Sequence, residues 1–438
     1  MKIYGVMGKP IINSLSPDMH NAAFMHLGID AAYVRLASKN AQEGISSSYE
    51  IEIEGINVTS PYKEDILDVI DKCSRESYEI GAVNTILLKS GSDMLGYNTD
   101  IYGVHQALVQ NASDPKDKTV LIIGAGGAAK AAAYSMIKNG AKVIVANRTL
   151  QKAEKISKDL GCESVDLSST DLKEKAKKSD IIISCINSVE QVLPSEVITN
   201  EKVILDAYYA NESRLVSDAK QNGAKIIDGR EWLLYQGAKA FEIFTGKIAP
   251  VEVMRKALME RLPKAKKSAV ALLGPMGSGK TTIGKILSEK RHVKTLSLDQ
   301  MIENENNISI AQIFEKYGEE KFRDLESEML KKALQNEGTV LDCGGGIVLR
   351  ENNKQLLEQK TLRVLLLLSR REIRKRLKDD TTRPLLNSKT EESEDKVEKM
   401  IKDRIRKYVE SSDIVVCSGN KKPQTIADVI SNEIDNAR

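Results

Sequence analysis

Eight consecutive residues, Gly274-Pro275-Met276-Gly277-Ser278-Gly279-Lys280-Thr281, fit the spacing GxxxxGK[ST], in which successive backbone amides cradle phosphate oxygens. In such a loop Lys280 neutralises charge on the β and γ phosphates and Thr281 offers its hydroxyl to magnesium. Gly274, Gly277, Ser278, Gly279 and Thr282 complete the cradle, so ATP with Mg²⁺ is the expected ligand. The spacing is specific for a nucleoside triphosphate and silent about what receives a phosphoryl group. A second turn, Gly124-Ala125-Gly126-Gly127-Ala128 with Ala129 at the third small position, lets the backbone approach a pyrophosphate and aims the next helix's amides at it. Alone this pattern is weak, because a tight turn without a cofactor needs the same glycines. About 20 residues on, NAD sites carry an acid for the ribose 2′-hydroxyl, but this chain has Asn147-Arg148-Thr149. A guanidinium there suits a 2′-phosphate and favours NADP(H) over NAD; the competing reading is a solvated arginine.

Each turn needs a strand before it and a helix after it. From Lys118 the chain reads as apolar strand, glycine turn, alanine-rich helix and second apolar strand, and the same grammar restarts at Ser268. Later apolar runs, VLDCGGG and RVLLLLS, read as further strands of a buried parallel sheet. Two such units in 438 residues imply two active sites and two or three domains. The polar, basic stretch 259–267 is the expected linker, following a helical stretch that runs on from Trp232 with little interruption. The expected fold is α/β throughout: an α/β substrate domain over 1–102, then a Rossmann-type NADP domain over 103–258 whose last helices return to the substrate domain. A P-loop, nucleoside-monophosphate-kinase-like domain with a parallel sheet follows over 268–438. The charged stretch 378–399 reads as a mobile lid or a solvated helix.

Composition removes several alternatives. Basic and acidic residues, 65 and 62, nearly cancel, and aromatics make up 4% of the chain, so neither a polyanionic partner nor a single-strand stacking surface is signalled. No apolar run is longer than Val364 to Leu368, which is too short to span a bilayer, and the N-terminus lacks a secretory apolar stretch. Five scattered cysteines without a CxxC pair read as reduced, mostly buried thiols, and the four histidines show no ligand spacing, so a cytoplasmic protein is expected.

The substrate side rests on a series of short motifs. In order these are Gly8-Lys9-Pro10, Ser14-Leu15-Ser16-Pro17, His20-Asn21, Asn57-Val58-Thr59-Ser60-Pro61-Tyr62-Lys63, Gly81-Ala82-Val83-Asn84-Thr85, Gly96-Tyr97-Asn98-Thr99-Asp100, and Gln236-Gly237-Ala238 with Phe241. The series resembles the shikimate dehydrogenase family across nearly the whole front half. The resemblance implies that Ser14 and Ser16 hold the substrate carboxylate, that Thr59, Asn84, Asp100 and Gln236 bond its ring hydroxyls, and that Lys63 and Asp100 form the catalytic pair. That pair makes chemical sense, because hydride delivery to a ketone develops an alkoxide that needs a positioned proton donor. Tyr209, in Asp206-Ala207-Tyr208-Tyr209, stands where the family keeps a tyrosine near the nicotinamide and substrate. Ala210-Asn211 departs from the family's usual Asn-Pro, and Ser184 to Val189 matches its cofactor loop only loosely.

The back half shows Asp299 with Ile302-Glu303, Ile313-Phe314, Gly318-Glu319, Phe322-Arg323, Gly344-Gly345-Gly346, Arg383-Pro384-Leu385-Leu386, and Arg404 with Tyr408. This order resembles shikimate kinase. The resemblance implies that Asp299 orients or deprotonates the attacking hydroxyl, that Arg323 and Arg404 clamp the substrate carboxylate, and that Gly344, Gly345 and Gly346 pack on the ring. Arg383 would close onto the phosphates, with Arg376 and Pro423 flanking the adenine. Ser297 stands where the family usually has an acid that reaches magnesium through water; Asp342, at the end of the VLD strand, is the expected replacement, with an ordinary strand-end acid as the alternative.

The two resemblances reinforce each other, since the product of the first reaction is the substrate of the second. The expected partners are 3-dehydroshikimate and shikimate, with no nucleic acid and no membrane, and the reading allows a homodimer. Three rivals stay open: a back half kept only as a nucleotide-binding regulatory module, a front half acting on quinate, and another kinase of the same small P-loop group.

Overall fold

A computed structural model describes residues 1–88, 93–186, 188–260, 267–378 and 403–437. The strands are β1 (Lys2–Gly8), β2 (Ala31–Ala37), β3 (Ile53–Val58), β4 (Lys72–Cys73), β5 (Thr85–Leu87), β6 (Leu95–Tyr97), β7 (Thr119–Ile123), β8 (Lys142–Asn147) and β9 (Glu163–Asp166). They continue as β10 (Ile181–Ser184), β11 (Val203–Asp206), β12 (Lys225–Asp228), β13 (Ala269–Leu273), β14 (Lys294–Ser297), β15 (Thr339–Asp342), β16 (Thr361–Leu367) and β17 (Ile414–Cys417). The chain forms two compact units, one of Met1–Pro17, Asp30–Ile56 and Leu262–Arg438, the other of Asp18–Ile29 and Asn57–Arg261.

In the second unit a parallel sheet runs β12-β11-β10-β7-β8-β9. Its covering on both faces follows from period-two alternation along β7: Val120 and Ile122 enter one apolar cluster, with Ala132, Val145 and Trp232, while Leu121 and Ile123 enter the other, with Leu172 and Leu215. The order reverses between β7 and β10, and a ligand crevice opens at the carboxyl ends of strands at such a point. A smaller group pairs β5 antiparallel and β4 parallel to β6. The helical stretch expected from Trp232 with little interruption is two helices with a short break between them. Gly229–Thr245 stops at Gly246, whose φ of 67° is the left-handed C-cap conformation glycine favours, and Val251–Met259 starts after Pro250.

In the first unit the order β14-β15-β13-β16-β17 places the strand of the phosphate loop at the centre, as a buried parallel sheet does. All seven residues of β16, TLRVLLL, are buried. Nothing in the sequence announces what lies beyond β17: its outer edge pairs in parallel with β2, Val415 opposite Leu36 and Val416 opposite Ala37, and β2 in turn pairs with β1. That pairing covers what would otherwise be two open sheet edges. Of the cysteines, Cys343 and Cys417 are buried, whereas Cys73, Cys162 and Cys185 are half-buried, so burial is less general than expected. No helix among the described residues is long and apolar enough to cross a membrane.

Candidate active sites

In the second unit Lys63 leaves a turn in which the Tyr62 amide donates to the Thr59 carbonyl at 3.0 Å, and its own carbonyl accepts from the Val83 amide at 2.8 Å. With its backbone held at both sides, Lys63 Nζ donates to Asp100 Oδ2 at 2.6 Å; the two side chains are 15% and 7% exposed, which shields the pair from water. Asp100 is the first residue of the helix Asp100–Val109, where the free amides favour a carboxylate. Beside it, Asn84 Oδ1 accepts from the Thr99 amide at 2.7 Å, and Asn84 Nδ2 donates to Gln236 Oε1 at 3.3 Å. Lys63, Asn84, Asp100 and Gln236 therefore come together from four separate motifs. Thr59 is half-buried at the end of β3.

The dinucleotide turn packs against this pair. A Cβ on Gly127 would lie 3.2 Å from Lys63 Cβ, so the glycine is what allows lysine and turn to approach. Gly124 has φ 117°, and a Cβ there would meet Ile186 and Cys185 at 3.3 and 3.4 Å, the residues just past β10. Burial pushes the Cys185 thiol up, reinforced by the negative charges of Asp100 and Asp206. Gly126 N-caps the helix Gly127–Lys138 with no side-chain cap and faces open space, so the first amides of the helix, with Ala128 among them, are left to a ligand. They open on a cleft of about 360 Å³ lined by Ala125, Gly126, Asn147, Arg148, Thr149, Glu64 and three lysines, Lys130, Lys152 and Lys155. Asn147 Nδ2 donates to the Thr149 carbonyl at 2.9 Å and shapes the turn that presents Arg148. This donor set fits a dinucleotide carrying an extra phosphate. The sequence reading missed the lysines, although Lys152 and Lys155 share one face of the helix Leu150–Leu160 immediately after Arg148.

Asp206 is buried and accepts from Ser213 Oγ at 2.5 Å and the Tyr208 amide at 3.1 Å; desolvation raises its carboxyl, partly offset by those bonds. Tyr209 follows, half-buried. Ser14 and Ser16 lie in the first unit. Ser16 opens the helix Ser16–His26 and is 5% exposed, and the Ser14 carbonyl accepts from Arg35 Nε at 2.8 Å.

Also in the first unit, Gly274, Gly277 and Gly279 have φ of 141°, 78° and 90°, positive values that glycine adopts readily and that a phosphate-cradling turn calls for. Lys280 is buried and donates from Nζ to the Gly274 and Pro275 carbonyls, both at 3.0 Å. The Ser278 hydroxyl is buried without a hydrogen-bond partner among the described residues, which suits a loop awaiting phosphate oxygens. Thr282, the second residue after Lys280, is exposed in the first turn of the same helix. Thr281 Oγ1 donates to Asp342 Oδ2 at 2.6 Å, and strand register sets Ser297 directly opposite Asp342. The hydroxyl and carboxylate a hydrated Mg²⁺ would use are thus adjacent. Arg376 donates to the Gly277 carbonyl and to the Ser418 carbonyl, both at 3.1 Å, and Pro423 opens the last helix, Pro423–Asn436.

The glycine triplet is the hub of a second cluster in this unit. A Cβ on Gly344 would approach Glu326 Oε1 at 2.7 Å and Asp299 Oδ1 at 3.0 Å, one on Gly346 would overlap the Arg323 guanidinium, and one on Gly345 would face Met276 of the phosphate loop. The Gly345 carbonyl accepts from Arg404 at 3.3 Å and from the Tyr408 hydroxyl. Arg323 is ion-paired to Glu326 at 3.0 Å and to Glu319 at 2.9 Å. Glu326 escaped the sequence reading; its position three residues after Arg323 on one helix was the available signal, and burial raises its carboxyl against the lowering effect of Arg323. Arg383 and most of the 378–399 stretch lie outside the described residues.

Comparison with known proteins agrees with both halves. Residues 6–86 match the shikimate dehydrogenase substrate binding domain, 107–206 shikimate / quinate 5-dehydrogenase, 229–259 the shikimate 5′-dehydrogenase C-terminal domain, and 276–435 shikimate kinase. A shikimate dehydrogenase (NADP(+)) from Pyrococcus abyssi is 39% identical over 269 residues, covering 60% of this chain and all of the relative. The crystal structure of shikimate 5-dehydrogenase from Thermus thermophilus in complex with NADP(H) and shikimate superposes with a TM-score of 0.55 at 32% identity, covering 60% of this chain and 100% of that one. The Listeria monocytogenes shikimate 5-dehydrogenase, in complex with shikimate and NAD, gives 0.54 at 30% identity, covering 59% and 96%.

Proposed function

Because the chain belongs to the shikimate dehydrogenase family and carries a shikimate kinase domain behind it, we propose that it catalyses two consecutive steps, NADPH-dependent reduction of 3-dehydroshikimate to shikimate and MgATP-dependent phosphorylation of the new 3-hydroxyl. The observation that carries this reading is the shielded Lys63–Asp100 pair, 2.6 Å apart, packed against Gly127 of the dinucleotide turn. Bound NADPH supplies the hydride, and bound ATP with Mg²⁺ the phosphoryl group and its counter-charge.

Lys63 Nζ holds the proton that the developing alkoxide takes up, and Asp100 keeps it aimed. Asn84 and Gln236, already bonded to each other, trade that bond for ring hydroxyls, with Thr59 as a further partner of those hydroxyls. Ser14 and Ser16 take the substrate carboxylate. Arg148 with the cleft lysines supports NADPH as the partner in place of NADH.

On the kinase side Asp299 accepts the proton of the attacking hydroxyl, while Arg323 and Arg404 hold the shikimate carboxylate against the glycine triplet. Lys280 and Arg383 neutralise the phosphates. The Asp342–Thr281 contact supports a working magnesium site despite Ser297, and so favours an active kinase over a regulatory module. The test is one assay on the full chain with 3-dehydroshikimate, NADPH and MgATP. NADPH oxidation followed by ADP release is expected, with NADH clearly poorer. Oxidation without shikimate-dependent ADP release would sink the kinase half, and no oxidation would sink the first.

A further inference from the structure

The loop that carries Ser14 and Ser16 is held by the other end of the chain. The amides of Ile11 and Ile12 belong to no helix or strand, and the two residues are buried, 1% and 9% exposed, so water serves them little. Both donate to the carboxylate of Glu433 on the helix Pro423–Asn436, Ile11 at 2.9 Å and Ile12 at 2.8 Å to the same oxygen, Oε2. Glu433 is itself 1% exposed, and burial raises its carboxyl while these two amides draw it back down. Next along the loop, Asn13 Nδ2 donates to the Asn436 carbonyl at 2.7 Å. One residue further, Arg35 of β2, 7% exposed, donates to the Ser14 carbonyl at 2.8 Å and to the Asp413 carbonyl, which leads into β17, at 3.4 Å. Four consecutive residues, 11 to 14, are therefore fixed by the shikimate kinase segment, directly or through Arg35. The β17–β2 pairing and the bonds from Lys421 to Glu43 at 3.1 Å and to Ser47 at 2.7 Å hold that segment against them.

From this geometry we propose that Glu433 is a positioning residue for the dehydrogenase. As a buried carboxylate from the kinase's last helix, it holds the backbone of the 11–14 turn in the one shape that presents Ser14 and Ser16 together. The inference rests on the reading that these serines hold the substrate carboxylate. Two adjacent buried amides strongly need an acceptor, and losing it costs the desolvation of each donor, so the turn rearranges instead of staying put. A rearranged turn weakens substrate binding and leaves the Lys63–Asp100 chemistry intact. The first enzyme's affinity is then written partly into the second enzyme's C-terminal helix.

The experiment is steady-state kinetics of both activities on the full chain. Glu433→Ala should raise the dehydrogenase KM for 3-dehydroshikimate roughly 10-fold or more, with kcat changed less than about 3-fold and the kinase KM for shikimate unaltered. Glu433→Gln, which keeps one acceptor oxygen, should recover part of that loss and covers the case in which the alanine variant fails to fold. An unchanged dehydrogenase KM in both variants, or a parallel fall of both activities in the glutamine variant, overturns the proposal. Ser16→Ala separates the two failures. If it leaves KM unchanged, the serine reading fails; if it raises KM while neither Glu433 variant does, only the positioning role fails. With both roles real, Glu433→Ala added to a Ser14→Ala/Ser16→Ala background should raise KM far less than it does alone.

Discussion

The two glycine turns use the same backbone device and place their charges differently. After β7, Gly126 opens a helix that has no side-chain cap, and the cations of the cleft stand outside the turn, on Arg148, Lys152 and Lys155 and on Lys130 in the helix itself. After β13, the cation belongs to the loop itself: Lys280 is buried and bonded to the Gly274 and Pro275 carbonyls. A cofactor that is only held needs amides at its pyrophosphate and a distant grip on its far end, whereas a phosphoryl group in flight needs positive charge within reach throughout. The acid and base groups differ in a corresponding way. Lys63 and Asp100 are already paired as the proposed proton delivery needs, while Arg323 is engaged by Glu319 and Glu326 and, in its proposed role, would give up part of that engagement to a substrate carboxylate.

The sharpest way to break this comparison is Lys63→Ala. Dehydrogenase kcat should fall by about two to four orders of magnitude, the usual range for a lost general acid, while kinase turnover measured on the same preparation stays intact. Near-normal reduction would remove Lys63 from the mechanism. Asp342→Asn attacks the other side. With Ser297 opposite it unable to replace the charge, kinase activity should drop roughly 10- to 100-fold and the magnesium requirement should rise. An unaltered magnesium titration would sink the compensation. Arg148→Ser should raise KM for NADPH about 10-fold, the scale of one lost charge-assisted bond, and leave KM for NADH nearly unchanged; equal effects on both cofactors would deny Arg148 the 2′-phosphate.

A smaller effect separates the units by acid sensitivity. His20 is packed among Phe24, Phe241 and Phe244, and burial lowers its pKa from 6.5 to about 3. It stays neutral in the folded chain, while the unfolded imidazole takes up a proton below pH 6.5. Stability should therefore be complete above that value and decline as pH falls toward 3, by up to about 1.4 kcal/mol per pH unit. Denaturant unfolding of His20→Gln against pH should show this acid limb flattened for the second unit.

Much of the chemistry was legible because it is local. Gly274 to Thr281 and Gly124 to Gly127 announce themselves through glycines at fixed spacing, and the alternation of Val120 and Ile122 against Leu121 and Ile123 follows from strand geometry alone. The missing acid at 297 was also visible, but whether Asp342 stands beside it depends on strand register, which no local pattern carries. Lys152 and Lys155 read as ordinary solvated charges until the cleft assembles around them. Glu326 was hidden in a charged helix for the same reason.

By itself the sequence determined the two phosphate turns, the strand and helix grammar around them and the ordered motifs of both families, because each depends on neighbours a few residues apart. Only the tertiary structure decided that β17 joins β2 and that Glu433 holds the turn before Ser14. Those contacts link residues from opposite ends of the chain. Their existence depends on which buried amides and strand edges are left unsatisfied once each local piece has folded.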